Sequence, residues 1–179
     1  MHQSLHRRLF GLVAALAVPL ATVALLGLTA CNQAASGADA DKPRIAWVTN
    51  CVAEFWKIGE LGVKAAEHEF GVVADVQMPP SNDPMNQKQI LEDVLTRGAV
   101  AVAISPIDPT NQTDMLNKAA ERVPLITHDS DAPNSKRLCY VGMDNYLAGR
   151  MCGDLVREAC PDGGKVMLFV GNLAQDNAK

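Results

Sequence analysis

The sequence predicts an α/β fold, a doubly wound parallel sheet in a three-layer α-β-α arrangement. Three observations carry this. Short apolar runs alternate with amphipathic stretches of helical period from residue 44 onward. The run Val100-Ala101-Val102-Ala103-Ile104 is apolar on both faces, as in a parallel strand buried between two layers. The strand–helix order then repeats, which implies right-handed crossovers and helices on both faces of one sheet.

The elements follow in order. Residues 44–49 (Arg-Ile-Ala-Trp-Val-Thr) read as a strand. Phe55, Ile58, Val63, Ala66 and Phe70 fall near helical spacing, and Gly71 supplies the stop. Residues 72–77 form the second strand, and Pro79 to Pro84 a loop. A helix over 85–96 closes at Gly98, ahead of the strand at 100–104. Asp108 caps a helix running to Arg122, with Pro109 at its first position. Strands are expected at 124–127, 138–142 and 165–170, with a helix over 145–159 before the last.

The N-terminus is of a different kind. Arg7 and Arg8 precede an apolar run from Leu9 to Ala30, and Leu28-Thr29-Ala30-Cys31 closes it. A charged start, an apolar stretch and a small-residue cleavage site describe a signal peptide. An uncleaved anchor helix of about 20 residues is the alternative, and Pro19 and the many alanines weaken it. Leu-Thr-Ala-Cys resembles the lipobox of bacterial lipoproteins, which implies lipidation of Cys31 and export to the periplasm or the outer face of a membrane. Residues 31–42, rich in Ala, Ser, Gly and Asp, read as a flexible tether.

Removing residues 1–30 takes away Arg7 and Arg8, so 14 basic and 20 acidic residues remain, a net charge of −6. An acidic domain without a basic cluster argues against a nucleic-acid partner. Beyond Cys31, the cysteines are Cys51, Cys139, Cys152 and Cys160, with no Cys-x-x-Cys or His-x-x-x-His metal spacing. They allow three pairings. Strand five runs up from Cys139 and the following helix runs back to Cys160, so Cys139–Cys160 is the expected disulfide. No cofactor is expected, since neither G-x-G-x-x-G nor the P-loop pattern occurs.

In an open parallel sheet, ligands bind beyond the carboxyl ends of the strands. That rule nominates the loops at 49–56, 105–108, 128–131 and 142–145, which hold aromatic planes, hydroxyls, carboxylates and amides. The mixture suits a sugar: C–H faces stack on an aromatic plane, and hydroxyls meet groups with several lone pairs or N–H bonds. His68, between Glu67 and Glu69, reads as a solvated helix residue. His128 reads as a loop residue with a smaller claim on ligand, and Asp131 as a loop carboxylate that extends the polar reach or is simply solvated.

The ordered part of the chain resembles the type I periplasmic binding proteins of the ribose-binding, sugar-transporter group. The matching pieces are residues 45–49 followed by Phe55-Trp56, Val94-x-x-Arg97-Gly98 and Ala103-Ile104-Ser105-Pro106. They continue with Val123-Pro124-Leu125-Ile126-Thr127-x-Asp129, Val141-Gly142-x-Asp144-Asn145-x-x-Ala148-Gly149 and Gly163-Gly164-Lys165-Val166. The resemblance implies that Phe55 and Trp56 are the aromatic pair, at least one of them stacking on sugar. It implies that Asp129 accepts from a sugar hydroxyl, and that Thr49, Ser105 and Asn145 occupy polar binding positions. Two departures stand out. Ala53 replaces an Asn of the ribose-binding pattern, and Ser130 replaces an Arg, so a sugar other than ribose is expected.

The implied architecture has two lobes clamping sugar between them. Residues 43–142 correspond to the N-terminal lobe and 143–179 to the start of the second, which suggests a truncated product. The implied function is the substrate-binding component of an ATP-driven sugar importer, with a membrane permease as partner and no enzymatic activity. A receptor serving a chemosensory or sensor-kinase partner is the alternative. From another class, an exported α/β sugar hydrolase would need a nucleophile and base, for which Ser105, His128 and Asp129 are the available side chains.

Overall fold

A computed structural model describes residues 39 and 41–175. The expected signal segment, the expected lipidation position Cys31 and residues 176–179 lie outside these. Among the described residues, nine elements follow one another: β1 (Arg44–Val48), α1 (Glu54–Phe70), β2 (Val73–Gln77), α2 (Pro84–Thr96), β3 (Ala101–Ile104), α3 (Pro109–Ala120), β4 (Leu125–His128), β5 (Tyr140–Val141) and α4 (Asn145–Ala159). The five strands form one sheet in the order β2-β1-β3-β4-β5, and every neighbouring pair is parallel. The chain therefore winds one way from β1 to β2 and the other way from β3 onward. The reversal falls between β1 and β3, where Val48 pairs with Ile104.

Strand periodicity decides what faces what. Ala46, Val48, Val102, Ile104 and Leu125 point to one face and form a core with Leu91, Val94 and Leu95 of α2 and Leu116 and Ala119 of α3. Each large side chain fully buried there contributes about 1.5–3 kcal/mol. Trp47, of opposite parity, meets α1 on the other face, where a Cβ on Gly59 would lie 2.9 Å from the Trp47 ring. Only a glycine lets the helix approach that indole so closely.

Capping explains the boundaries. Gly71 ends α1 in the left-handed conformation, φ 64°, which glycine adopts without a steric penalty. Asp83 caps α2 through Met85 N–H at 3.0 Å, with Pro84 at the first position. Asp108 caps α3 through Asn111 N–H at 3.2 Å, and Asp144 caps α4 through Leu147 N–H at 2.9 Å.

Two expectations are corrected. Residues 165–170 form no strand, and Val166, Met167, Leu168, Phe169 and Val170 are exposed. A strand needs a partner for its backbone groups, and no neighbouring strand lies beside this run among the described residues. The Cys139–Cys160 bridge is also absent: both are exposed free thiols. α4 buries none of its residues, so among the described residues nothing holds its C-terminal end against the sheet edge where Cys139 sits.

Candidate functional site

The reversal point of the sheet gathers four side chains from three strand ends and one helix start. Asn50 follows β1, Ser105 follows β3, Asp129 follows β4, and Trp56 lies in the first turn of α1. The Trp56 indole Nε1–H donates to Asn50 Oδ1 at 2.9 Å. Asn50 Nδ2 donates to Ser105 Oγ and to Asp129 Oδ2, both at 3.3 Å. Ser105 Oγ–H donates to the same Asp129 Oδ2 at 3.0 Å. Burial pushes the Asp129 carboxyl above its usual range, and the bonds from Ser105 and Asn50 oppose that shift.

Asp129 is held in an uncommon backbone state. Its φ is 60°, a left-handed conformation that Asp tolerates better than bulkier residues. Two contacts hold it there. Its N–H donates to Val141 O at 3.1 Å, and the Tyr140 hydroxyl donates to its carbonyl at 2.7 Å. A Cβ on Gly142 would overlap that hydroxyl, so glycine at 142 keeps Tyr140 on Asp129.

A second, fully buried network sets the loops that carry Asn50 and Ser105. Gln87 of α2 is 0% exposed. Its Nε2 donates to Thr49 O at 2.9 Å and to Ser105 O at 2.7 Å. Its Oε1 accepts from Ile107 N–H at 3.2 Å and from Gln112 Nε2 at 3.0 Å. Gln112 Oε1 in turn accepts from Ile107 and Asp108 N–H, both at 3.0 Å. One amide therefore ties the loop after β1 to the loop after β3.

Aromatic rings form the wall beside this cluster. Trp56 is only 5% exposed and meets Trp47 edge-on at 5.5 Å. His128 stacks on Trp47 at 5.2 Å and meets Trp56 edge-on at 5.5 Å. Burial drives the His128 pKa down to about 4, against a hydrogen bond to the Val48 backbone, so the ring is neutral at pH 7. Its Nε2 is buried without a hydrogen-bond partner. Phe55 differs from its neighbour: it is 64% exposed, with its ring 4.9 Å from Trp56.

The structure thus brings together Trp56, Ser105 and Asp129, with exposed Phe55 against Trp56. Thr49 is buried next to them, but its hydroxyl donates to Cys51 O at 2.8 Å within its own loop. Asn145 begins α4, half-buried, and has no hydrogen bond to the cluster. Asp131 is no solvated carboxylate. It is paired in bidentate fashion with Arg137, the Nη2 contact being 2.6 Å, and accepts from Thr127 Oγ1 at 2.6 Å. Ser105 bonds to a carboxylate rather than to an imidazole, so the hydroxyl–histidine pair of a hydrolase is not formed.

Asn50, Gln87 and Gln112 escaped sequence reasoning. Asn50 lies in a nominated loop beside Thr49, and nothing in the pattern separates the two. The glutamines left a clearer signal: Gln87 shares its spacing with Leu91, Val94 and Leu95, and Gln112 with Leu116 and Ala119, all on buried helix stripes.

A model of the periplasmic binding protein domain matches residues 45–179. The chain belongs to the type I periplasmic binding proteins. The ribose import binding protein of Haemophilus influenzae is 28% identical over 158 residues, which cover 85% of this chain and 51% of that protein. The D-ribose/D-allose-binding protein of Pseudomonas aeruginosa is 26% identical over 88% of this chain and 54% of its own length. Among solved structures, an ABC transporter solute-binding protein from Burkholderia graminis in complex with D-arabinose superimposes with a TM-score of 0.74. It is 28% identical, over 78% of this chain and 49% of that one. An arabinose-binding protein from Geobacillus stearothermophilus gives a TM-score of 0.66 at 28% identity, over 76% and 49%. The chain spans about half the length of these relatives.

Proposed function

We propose that this chain is the substrate-binding component of an ATP-driven sugar importer. It is exported, lipid-anchored at Cys31, and presents a monosaccharide to a membrane permease. The observation that carries the reading is the convergence of Asn50, Ser105 and Asp129 at the reversal point of the sheet, beside exposed Phe55. A sugar there stacks a C–H face on Phe55 while a hydroxyl donates to Asp129, a charge-assisted hydrogen bond. The names of the relatives, which specify ribose, allose and arabinose, support a pentose or hexose.

Residues 43–142 are the N-terminal lobe in this reading, and 143–179 begin the second lobe. The exposed apolar side chains of α4, among them Tyr146, Leu147, Met151 and Leu155, fit a helix whose core belongs to that second lobe. Asn145 then sits at the crossing between lobes, within reach of ligand once the lobes close. No bond is made or broken; affinity comes from stacking, hydrogen bonding and enclosure.

The test of the anchor is mass spectrometry of the processed N-terminus. An acylated Cys31, lost in Cys31→Ala, is the expected result, and a mature protein that retains residues 1–30 contradicts it. The test of binding is a titration with D-arabinose, D-ribose, D-allose, D-glucose and D-galactose. Saturable binding of at least one is expected, and turnover of aryl glycosides by this protein would put the site in the hydrolase class instead.

A further inference from the structure

Every hydrogen-bond donor of the cluster is already engaged within it. The Trp56 indole has one N–H, directed at Asn50 Oδ1 at 2.9 Å. An indole nitrogen only donates, so the atom facing it must be the amide oxygen, and Asn50 cannot be flipped. That fixes the two amide hydrogens on Ser105 Oγ and Asp129 Oδ2. The single Ser105 hydroxyl hydrogen goes to Asp129 Oδ2 at 3.0 Å. What remains is Asp129 Oδ1, which takes part in none of these bonds and only accepts.

Among the described residues, the cations near the cluster do not compensate for this bias. Lys57, one residue past Trp56, is paired with Glu54 at 2.7 Å. Of the two basic residues in the loop after β4, Lys136 is paired with Glu121 and Arg137 with Asp131. His128 is neutral at pH 7. A ligand carboxylate or phosphate entering here meets the Asp129 carboxylate with neither a donor nor a positive charge to receive it.

Resting on the sugar-binding reading above, we infer that Asn50 is a specificity-determining residue: locked by Trp56, it makes this half-site accept hydrogen bonds only, selecting neutral and amino sugars and rejecting sugar acids. Trp56 is then a positioning residue, acting through Asn50, and Phe55 is the stacking surface.

The experiment is nuclear magnetic resonance on the isotope-labelled chain at neutral pH. First, Asn50→Leu removes the acceptor, and the Trp56 Nε1–H resonance should move upfield. Trp56→Phe keeps a ring but removes the N–H, and should shift the Asn50 side-chain amide pair. Melting temperature confirms that each variant folds; Asn50→Ser serves as a second, smaller replacement should Asn50→Leu fail to fold. Second, the unsubstituted chain is titrated with D-galactose, D-galactosamine and D-galacturonate, and with the matching glucose series. Neutral and amino sugars should bind at least about tenfold more tightly than the uronates, and Trp56→Phe should reduce that ratio. Uronates that bind as tightly as the neutral sugars overturn the inference and leave the sugar reading standing. An indole resonance indifferent to both Asn50 variants overturns it as well. If no sugar binds while the indole coupling is present, the sugar reading itself fails.

Discussion

Replacing Gln87 by Leu keeps the volume on the buried face of α2 and removes four hydrogen bonds at once. Their loss is unequal. Ile107 N–H retains Gln112 Oε1 at 3.0 Å, and Gln112 Nε2 retains Pro84 O at 3.3 Å. The Thr49 and Ser105 carbonyls, which accept from Gln87 Nε2 at 2.9 and 2.7 Å, are left facing an apolar side chain. A buried polar group without a partner costs about 1–3 kcal/mol, so two carbonyls put the loss at about 2–6 kcal/mol. For a domain of this size, that lowers Tm by roughly 5–20 °C. Chemical denaturation followed by far-ultraviolet circular dichroism measures it directly. A variant within about 0.5 kcal/mol of the parent, the range of an ordinary surface change, would show that Gln87 does not tie the two loops. Sugar affinity should fall too, because the same carbonyls position Asn50 and Ser105.

Further outcomes follow from the charged and titratable groups. The folded pKa of His128, about 4, lies below its unfolded value near 6.5. The unfolded chain therefore binds the extra proton across that window, and stability is lost as pH falls from about 6.5 to 4. The full effect is about 3 kcal/mol at 1.36 kcal/mol per unit; His128→Gln should flatten this part of the acid-unfolding curve, and an unchanged slope refutes the assignment. For Asp131, burial raises the pKa, but the bonds from Arg137, Thr127 and the Ala132 N–H outweigh it and hold it low. Its contribution is present above the unfolded carboxylate pKa and lost as pH falls through the folded one. Arg137→Met should cost about 1.5–3 kcal/mol at pH 7, the range of hydrogen bonds to a charged group, and move acid unfolding to higher pH, as read in denaturant melts at several pH values. Gly142→Ala should displace Tyr140 from the Asp129 carbonyl and weaken sugar binding more than it lowers Tm, a difference seen by comparing titration with melting.

Much of the fold was legible because the physical signals were local. The apolar run at 100–104, Gly71 as a helix stop and Asp108-Pro109 as a helix start each fix one boundary, and the structure places β3, α1 and α3 accordingly. Residues 165–170 misled because an apolar run states what must be buried, not what it pairs with. The candidate site was legible in outline, since the carboxyl ends of parallel strands nominate the loops that hold Ser105 and Asp129. Its wiring was not. Trp56 reads as a stacking plane until the structure buries it against Trp47 and His128, and Thr49 reads as a ligand residue until its hydroxyl turns to Cys51. Asp131 finds Arg137 six residues further on, a pairing that depends on how the loop folds back.

The central claim is that Asp129 and Phe55, at the reversal point of the sheet, bind a monosaccharide. Chemical-shift titration of the chain with the sugar panel, repeated with Asp129→Asn and Phe55→Ala, tests it most directly. Saturable binding of at least one sugar is the expected result. It should fall by about tenfold or more in each variant, a loss of about 1.4 kcal/mol, with Tm held near that of the parent. Binding that is indifferent to both substitutions, or the absence of saturable binding by any monosaccharide, would contradict the account.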